Sequence, residues 1–269
     1  MSDDTNVQAK DDPYDPHMVI RVGEYKGQMV DSSEKRPAEI LKEDADSIVM
    51  ANFRHLDQFW IAKVPKSGVD QVVFRIDRFP TSVPLVKPAH TLLAFKMREG
   101  SELQLTPQPP DGTSTQEPIA VDAFYFSVDY MAPKGVEYGL IQGLKNTFLA
   151  TERFLSVRER AETEKSDPKY PSDSLPLTLD EDTKNRLLEK AIRQSNARRE
   201  DDTYNTFYFN CTTELFGLLD SVIDYGSREV KPFKESIVHI LDPVAGPAHE
   251  ALQKRGLVAA DAKKPDWIN

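Results

Sequence analysis

The sequence predicts an α+β fold in which an antiparallel sheet packs against helices. Runs rich in β-branched and aromatic residues dominate the first half of the chain, and amphipathic helical spacing dominates the second half. Strands that precede helices, rather than alternating with them, argue against a doubly wound parallel sheet. No Gly-rich loop joins a strand to a helix, which excludes a P-loop and a dinucleotide-binding fingerprint.

Composition limits the classes of function. The 269 residues are 39% apolar, which is enough to bury a core, and we expect one large domain. The formal net charge of -10 argues against non-specific binding to nucleic acid or to an anionic membrane surface. No apolar run reaches the roughly 18 to 20 residues of a membrane-spanning helix. Residues 1–6 lack a secretory signal, which leaves two interpretations: a cytosolic protein, or an exported one whose signal has been removed.

The N-terminal region divides into a tail and the first elements of the domain. Residues 1–17 are acidic and nearly devoid of apolar side chains, so we expect a disordered tail followed by a single domain, with an N-terminal extension, over residues 18–269. Residues 18–22 and 28–30 are predicted to form a short hairpin. Over residues 33–51 the apolar spacing suits an amphipathic helix capped by Ser32 or Ser33; its apolar residues are Ile40, Leu41, Ala45 and Ile48.

Strands are predicted next along the chain. Short β-rich runs occur at residues 59–64, 71–76, 90–97, 102–106, 124–130 and 153–158. Residues 65–68, Pro-Lys-Ser-Gly, separate the first two runs and are typical of a turn between antiparallel strands. We expect the connections to be a loop over 107–114, a helical turn within 143–152 and a charged surface excursion over 161–176.

Three helices complete the prediction. The clearest covers residues 177–198, where Thr178 and Glu181 stand at the capping-box spacing ahead of an apolar stripe. A second helix is expected from residue 212 to about residue 225, and a third from 245 to 255 with Gly256 at its end.

Motif searches exclude several kinds of active site. No two histidines have HExxH spacing, and a single cysteine argues against a closed zinc site, so we expect neither a metal nor a cofactor. The chain has no GxSxG run of the kind that carries a serine nucleophile. The histidines left to consider are His17, His55, His90, His239 and His249.

The single cysteine, Cys211, stands where a polar turn gives way to the second predicted helix. A thiol at a helix N-terminus lies near unpaired backbone N–H groups and the positive end of the helix dipole, which favour thiolate. Cys211 is therefore a candidate nucleophile. The alternative is a small buried apolar residue with no chemical role.

His90 is the best partner for this thiol, because it opens an apolar strand at the end of the predicted sheet. A Cys/His hydrolase needs an imidazole within hydrogen-bonding reach of the sulfur and a polar group that orients the imidazole. A capping or edge histidine is the alternative interpretation of His90. Asn210 and Thr212 beside the cysteine have an alternative of their own, since both are ordinary helix-capping residues.

Four stretches resemble the Lnb N-terminal periplasmic domain family. The run Tyr204-Asn205-Thr206, followed by Asn210-Cys211-Thr212-Thr213, is similar to the cysteine motif of that family. Residues 89–95 resemble its histidine strand, residues 138–160 its middle segment and residues 249–258 its C-terminal helix. Together these stretches cover roughly residues 55 to 260.

The resemblance implies a permuted papain-like fold of the NlpC-type superfamily, with the histidine strand ahead of the cysteine helix. It assigns Cys211 as nucleophile and His90 as base, and the Cys211 backbone N–H is then one oxyanion donor. Asn210, Tyr204 and Thr212 are expected to shape the site. Where family members often carry an acidic residue after the histidine strand, this chain has Gln108, whose side-chain carbonyl is the expected orienting group for His90.

Two functions follow from the resemblance. The first is a papain-like cysteine hydrolase or acyltransferase that acts through an acyl-enzyme on an amide or ester, in a cell-envelope lipoprotein, peptide or lipid-derived substrate. The second is a non-catalytic cell-envelope binding module that keeps the fold. Either implies a periplasmic or cell-envelope location.

Overall fold

One large sheet organises the structure. A computed structural model describes residues 12–78, 89–108, 117–137, 140–166, 171–197, 202–206, 208–227, 229–233, 245–259, 261 and 263–268. Its strands are β1 (Glu39–Glu43), β2 (Ser47–His55), β3 (Gln58–Pro65), β4 (Val69–Arg78), β5 (Ala89–Met97), β6 (Leu103–Pro107), β7 (Ile119–Val121), β8 (Ala123–Met131), β9 (Phe148–Ser156), β10 (Ser172–Pro176) and β11 (Thr203–Tyr204). Its helices are α1 (Leu140–Leu144), α2 (Val157–Ser166), α3 (Glu181–Asn196), α4 (Cys211–Val222) and α5 (Ala245–Arg255).

The sheet is open and mostly antiparallel. Its strand order is β10-β4-β5-β8-β9-β2-β3-β6-β7, with β1 paired to β2 and β11 paired to β9. Among the described pairs only β2 and β9 run parallel. This arrangement confirms the mixed α+β class and places β5, which carries His90, in the interior of the sheet between β4 and β8.

Helices cover both faces of the sheet. On one face α3 packs against β4, and α4 packs against β5 and β8. The ring of Phe216 in α4 lies 5.5 Å from that of Phe74 in β4, and this contact seats the helix on the sheet. On the other face α2 packs against β8 and β9. Burial of these apolar surfaces is the dominant source of stability and fixes α4 beside β5.

The helix predicted over residues 33–51 is wrong, since β1 and β2 occupy most of that range. The Asp44 carboxylate accepts hydrogen bonds from the backbone N–H of Asp46 (3.0 Å) and of Ser47 (2.7 Å), so it forms a turn that interrupts any helix. Residues after this turn pair with β1, as Ile48 opposite Glu43 shows. The helical spacing of the apolar residues was therefore overridden by turn chemistry and strand pairing.

Two further predictions around α3 need correction. Thr178 does not cap this helix, because its N–H donates to the carbonyl of Leu257 at 2.8 Å, and Asp180 caps instead by accepting from Thr183 N–H at 2.7 Å. The stretch predicted as a surface excursion contains most of α2 and all of β10, which pairs with β4. Ser156 starts α2 by accepting from the N–H of Glu159 at 2.9 Å.

The predicted hairpin, the other strands and the last two helices agree with the structure. The short hairpin is present as the bridge between Val19 and Met29. The six predicted strands and helix α4 are present with shifted ends, and α5 has the predicted bounds. Residues 1–11 of the predicted tail and 109–114 of the predicted loop lie outside the described residues; within 12–17, Asp12 and Asp15 form ion pairs with Arg36.

Candidate active site

The N-terminus of α4 holds the single cysteine. Asn210 precedes the helix, and its side-chain oxygen accepts from the backbone N–H of Thr212 (2.8 Å) and of Thr213 (3.0 Å). In return, the Thr213 hydroxyl oxygen accepts from the Asn210 N–H at 3.0 Å, which completes a capping box. Cys211 is thereby fixed as the first helical residue, where the helix dipole favours negative charge.

The thiol of Cys211 lies against the start of β5. The residue is 3% exposed, and its sulfur accepts a hydrogen bond from the backbone N–H of Thr91 at 3.5 Å. Burial by itself raises the pKa of Cys211, but the charge of His90 and hydrogen bonds from His90 and Thr91 outweigh burial and lower that pKa below its usual value. The thiol environment therefore favours the nucleophilic form.

His90 shows the opposite shift. Burial lowers the pKa of its imidazole, yet attraction to Cys211 and to Asp129 raises the pKa of His90 above its usual value. A thiol with a lowered pKa beside an imidazole with a raised pKa favours a thiolate-imidazolium pair. The structure thus brings together the two residues that the sequence paired.

Strand β8 supplies the groups that hold the imidazole. Leu92 of β5 pairs with Ser127 of β8 in an antiparallel register. His90, two residues before Leu92, and Asp129, two residues after Ser127, therefore lie at the same end of the two strands. The Nε2 atom of His90 is 2.8 Å from Ser127 Oγ and 3.6 Å from Asp129 Oδ1. The Ser127 hydroxyl donates to Asp129 Oδ2 at 2.8 Å. The ring is therefore held through Nε2.

The bond from Ser127 to Asp129 also determines the tautomer of His90. A hydroxyl carries one proton, and the Asp129 carboxylate has none to give, so Ser127 donates to Asp129 and accepts from His90 Nε2–H. Nε2 then carries a proton in both charge states of the ring. Nδ1 is then the nitrogen that can accept a proton.

Asp129 is itself held in the ionised form. Burial raises the pKa of its carboxyl, but Arg153, His90 and Lys35 together lower the pKa of Asp129 far below its usual range. The Arg153 contribution includes an ion pair of 2.7 Å between Nε and Asp129 Oδ2. A carboxylate that stays ionised at all physiological pH values is suited to stabilise an imidazolium.

Gln108, the expected orienting group, lies elsewhere. Its side-chain oxygen accepts from the backbone N–H of Asn52 at 2.7 Å, and its amide donates to the Asn52 side-chain oxygen at 2.9 Å. Asn52 has a φ of +66° at the irregularity in the pairing of β2 with β3, so Gln108 satisfies a backbone group there. Among the described residues, the hydrogen bonds of the His90 imidazole nitrogens include none from Gln108, which corrects the prediction from sequence.

Replacing Gln108 with Ala is expected to lower the free energy of unfolding by about 1 to 3 kcal/mol, because the buried Asn52 N–H loses its acceptor. Alkylation of Cys211 should stay within about twofold of wild type. Urea unfolding and thiol alkylation measure the two effects, with Gln104→Ala on the exposed face of β6 as the control. A tenfold fall in alkylation with unchanged stability would restore the orienting role of Gln108.

The three residues expected to shape the site lie in two places. Asn210 caps α4, and the buried Thr212 places its hydroxyl 3.3 Å from the hydroxyl of Thr91. Tyr204 lies in β11, and its ring meets the ring of Tyr130 edge-on at a centroid distance of 6.2 Å. Asn210 and Thr212 are therefore in the immediate surroundings of Cys211, while Tyr204 adjoins Tyr130, the residue that follows Asp129.

Sequence reasoning missed Ser127, Asp129 and Arg153. A signal for the first two was available, because Ser127 and Asp129 occupy alternate positions in a strand that is otherwise strongly apolar. Alternate residues of a strand share one face, and polar groups on a buried face require partners. Arg153 carries no comparable signal, since its role depends on the pairing of β9 with β8.

Comparison with known proteins identifies one family. A family model described as the Lnb N-terminal periplasmic domain matches residues 79–239, which is more than half of the chain and includes both His90 and Cys211. No curated protein and no solved structure matched the chain. Within the described ranges, every helix is too short or too polar to cross a membrane.

Proposed function

Because this chain belongs to the Lnb N-terminal periplasmic domain family, we propose that it is a papain-like cysteine hydrolase or acyltransferase. The proposed substrate is an amide or ester in a cell-envelope lipoprotein, peptide or lipid-derived molecule. The observation that carries the proposal is the pairing of Cys211 at a capped helix N-terminus with an imidazole held by Ser127 and Asp129. The family is that of a periplasmic domain, which fits a periplasmic or cell-envelope location.

The proposed fold assignment is the permuted papain-like arrangement. Its support is that the strand bearing His90 precedes the helix bearing Cys211 along the chain, and that this helix packs on that strand. We extend the assignment to a single domain over residues 18–269 with an N-terminal extension.

The first half of the reaction forms an acyl-enzyme. Nδ1 of His90 takes the thiol proton, and the Cys211 thiolate attacks the carbonyl carbon of the substrate, so that a C–S bond forms and the carbonyl π electrons move to oxygen. The backbone N–H of Cys211 at the start of α4 donates a hydrogen bond to that oxyanion. When the oxyanion collapses, the C–N or C–O bond breaks and the imidazolium gives its proton to the leaving amine or alcohol.

The second half regenerates the thiol. His90 removes a proton from water or from an acceptor amine, the acceptor attacks the thioester carbonyl, and the C–S bond breaks as the imidazolium returns its proton to sulfur. Hydrolase and acyltransferase therefore differ only in the acceptor. Asp129 touches no reacting atom, and its role is to stabilise the imidazolium that both halves require.

The test is the pH dependence of Cys211 alkylation by iodoacetamide. Wild-type protein should alkylate with a midpoint below the free-thiol pKa of about 8.5, because His90 favours the thiolate. In His90→Ala the thiol loses the charge of His90 and keeps burial and the hydrogen bond from Thr91, so the midpoint should move to higher pH than in wild type. An acyl-directed electrophilic probe should label the wild type but neither Cys211→Ala nor His90→Ala.

The matched control for this experiment is His249→Ala, which removes a histidine from α5 and leaves α4 and β5 unaltered. Labelling and midpoint should match wild type in this variant. A wild-type midpoint at or above about 8.5, or labelling that survives in His90→Ala, contradicts the activated pair.

One observation favours a second candidate function. The 3% exposure of Cys211 leaves the sulfur nearly inaccessible, as in a structural thiol, and a non-catalytic envelope module that keeps the fold would show the same burial. Absence of probe labelling in the folded wild type selects this candidate.

A further inference from the structure

Lys35 places a positive charge beside Tyr130, at the end of β8 that carries Asp129. Its Nζ donates to the carbonyl oxygen of Tyr130 at 3.2 Å and lies 4.1 Å from the centroid of the Tyr130 ring. Tyr130 directly follows Asp129 in β8, so the ammonium lies at the end of the sheet where His90 is held. Burial lowers the pKa of Lys35 and the charge of Asp129 opposes that effect, which shows that the two charges interact.

The charge of Lys35 helps to keep Asp129 ionised, but within the described residues its ammonium forms no ion pair with that carboxylate. That carboxylate already has an ion pair with Arg153 and a hydrogen bond from Ser127. An ammonium has three N–H donors, and within the described residues only the Tyr130 carbonyl accepts from Lys35. The nearest acidic residue in sequence, Glu34, is exposed to solvent; its charge raises the pKa of Lys35, but the two side chains form no ion pair in the described structure. Apart from the bond to this carbonyl and the contact with the Tyr130 ring, the half-buried ammonium keeps donor capacity for a ligand.

Aromatic contacts connect this cation to the segment that leads into Cys211. The ring of Tyr130 packs against Lys35 and meets the ring of Tyr204 edge-on. It also lies 5.3 Å from the ring of Phe148 in β9, so its position is fixed from two sides. These contacts limit the movement of the ammonium and keep it at the Tyr130 ring.

We propose that Lys35 binds an anionic oxygen group, a carboxylate or a phosphate, of the acyl donor that Cys211 attacks. This inference rests on the proposed function, because it names the substrate class for the same site. A fixed positive charge at the end of the sheet where Asp129 holds His90 favours a donor of opposite charge and helps to position its carbonyl. An acceptor amine, being cationic at neutral pH, is disfavoured at this position.

The experiment uses the full chain and nitrophenyl esters of three acids. Succinic acid supplies a carboxylate, 3-phosphonopropionic acid supplies a phosphonate, and monomethyl succinate is the neutral match. Lys35→Gln should lower kcat/KM by about 10- to 100-fold on the two anionic esters and by less than about twofold on the neutral ester. Lys35→Arg should restore most of that loss. The ratio between the two anionic esters identifies which group the site prefers.

The control variant is Lys26→Gln, an exposed lysine on the N-terminal hairpin, and its kcat/KM values should equal those of wild type. An equal loss on the neutral ester shows that Lys35 only supports Tyr130, and no loss on the anionic esters shows that its charge is unused. Either result overturns the inference.

A binding measurement separates this inference from the proposed function. Inorganic phosphate and acetate are titrated by calorimetry into Cys211→Ala and into Cys211→Ala/Lys35→Gln, neither of which can form an acyl-enzyme. Binding that requires Lys35 supports the anion site even where no ester is cleaved. Binding of neither anion, or binding that survives removal of Lys35, overturns it even where catalysis is observed.

Discussion

Asp129→Asn is expected to lower kcat for ester cleavage by about 10²- to 10⁴-fold. Asparagine can still accept the hydrogen bond from Ser127, but it carries no charge to stabilise the imidazolium of His90. Because Asp129 raises the pKa of His90, its loss lowers that pKa. The alkaline limb of the pH–rate profile, where the imidazolium loses its proton, should therefore move to lower pH.

Asp122→Asn is the matched control, because Asp122 precedes β8, is exposed and forms an ion pair with Lys96 outside the site. Its kcat and its pH profile should equal those of wild type. The variant at Asp129 also leaves Arg153 without its ion-pair partner, so urea unfolding must accompany the kinetics. A loss of stability with an unchanged pH profile would give Asp129 a structural role alone.

Ser127→Ala is a second variant that tests how β8 holds His90, and it can be used if Asp129→Asn does not fold. This change removes the acceptor of His90 Nε2–H and leaves the charge of Asp129 in place, so the alkaline limb should move little while kcat falls. An unchanged kcat would mean that the tautomer of His90 does not depend on Ser127. The two variants thus separate the electrostatic contribution of β8 from its contribution to ring orientation.

The contrast between His90 and Asp129 explains what the sequence alone can predict about this site. Cys211 is identified by its neighbours in the chain, since the residues that cap its helix lie within two positions of it. The partner of His90 is decided by the pairing of β5 with β8. No motif or residue spacing in the sequence indicates that these two strands pair. The orienting role is predicted for Gln108 because this residue follows the histidine strand in the chain. Gln108 comes directly after β6, however, and β6 pairs with β3 rather than with β5.

The same distinction between local and long-range determinants applies to the fold. Helix α4 and strand β5 were predicted because their apolar periodicity agrees with their tertiary environment. The helix expected over residues 33–51 had the right periodicity as well, but β1 and β2 gain more from pairing in the sheet than a marginal helix gains alone. Apolar periodicity in the sequence therefore predicts secondary structure best where local preference and long-range packing favour the same element.

Phe124→Ala is expected to lower the free energy of unfolding by about 3 to 5 kcal/mol. Phe124 is fully buried in β8, with its ring stacked on Phe95 at 5.5 Å and within 6.2 Å of Phe53 and Phe154. These residues belong to four strands, so their rings hold β5, β8, β9 and β2 together on one face of the sheet. Truncation leaves a cavity that rigid strands cannot close, which adds to the lost burial.

Urea unfolding followed by circular dichroism measures this loss, with two controls. Phe124→Leu keeps most of the volume and should cost less than Phe124→Ala, and Tyr208→Ala, at an 82% exposed position, should change stability by no more than about 0.5 kcal/mol. A loss below about 1 kcal/mol for Phe124→Ala would show that the sheet repacks around the cavity.

The same variant should leave the candidate site intact. Phe124 precedes Asp129 by five residues in β8, and side chains an odd number of residues apart in a strand point to opposite faces of the sheet. In the absence of urea the folded variant should therefore alkylate at Cys211 as wild type does, because the site depends on the register of β8 with β5 and that register persists while the sheet is folded.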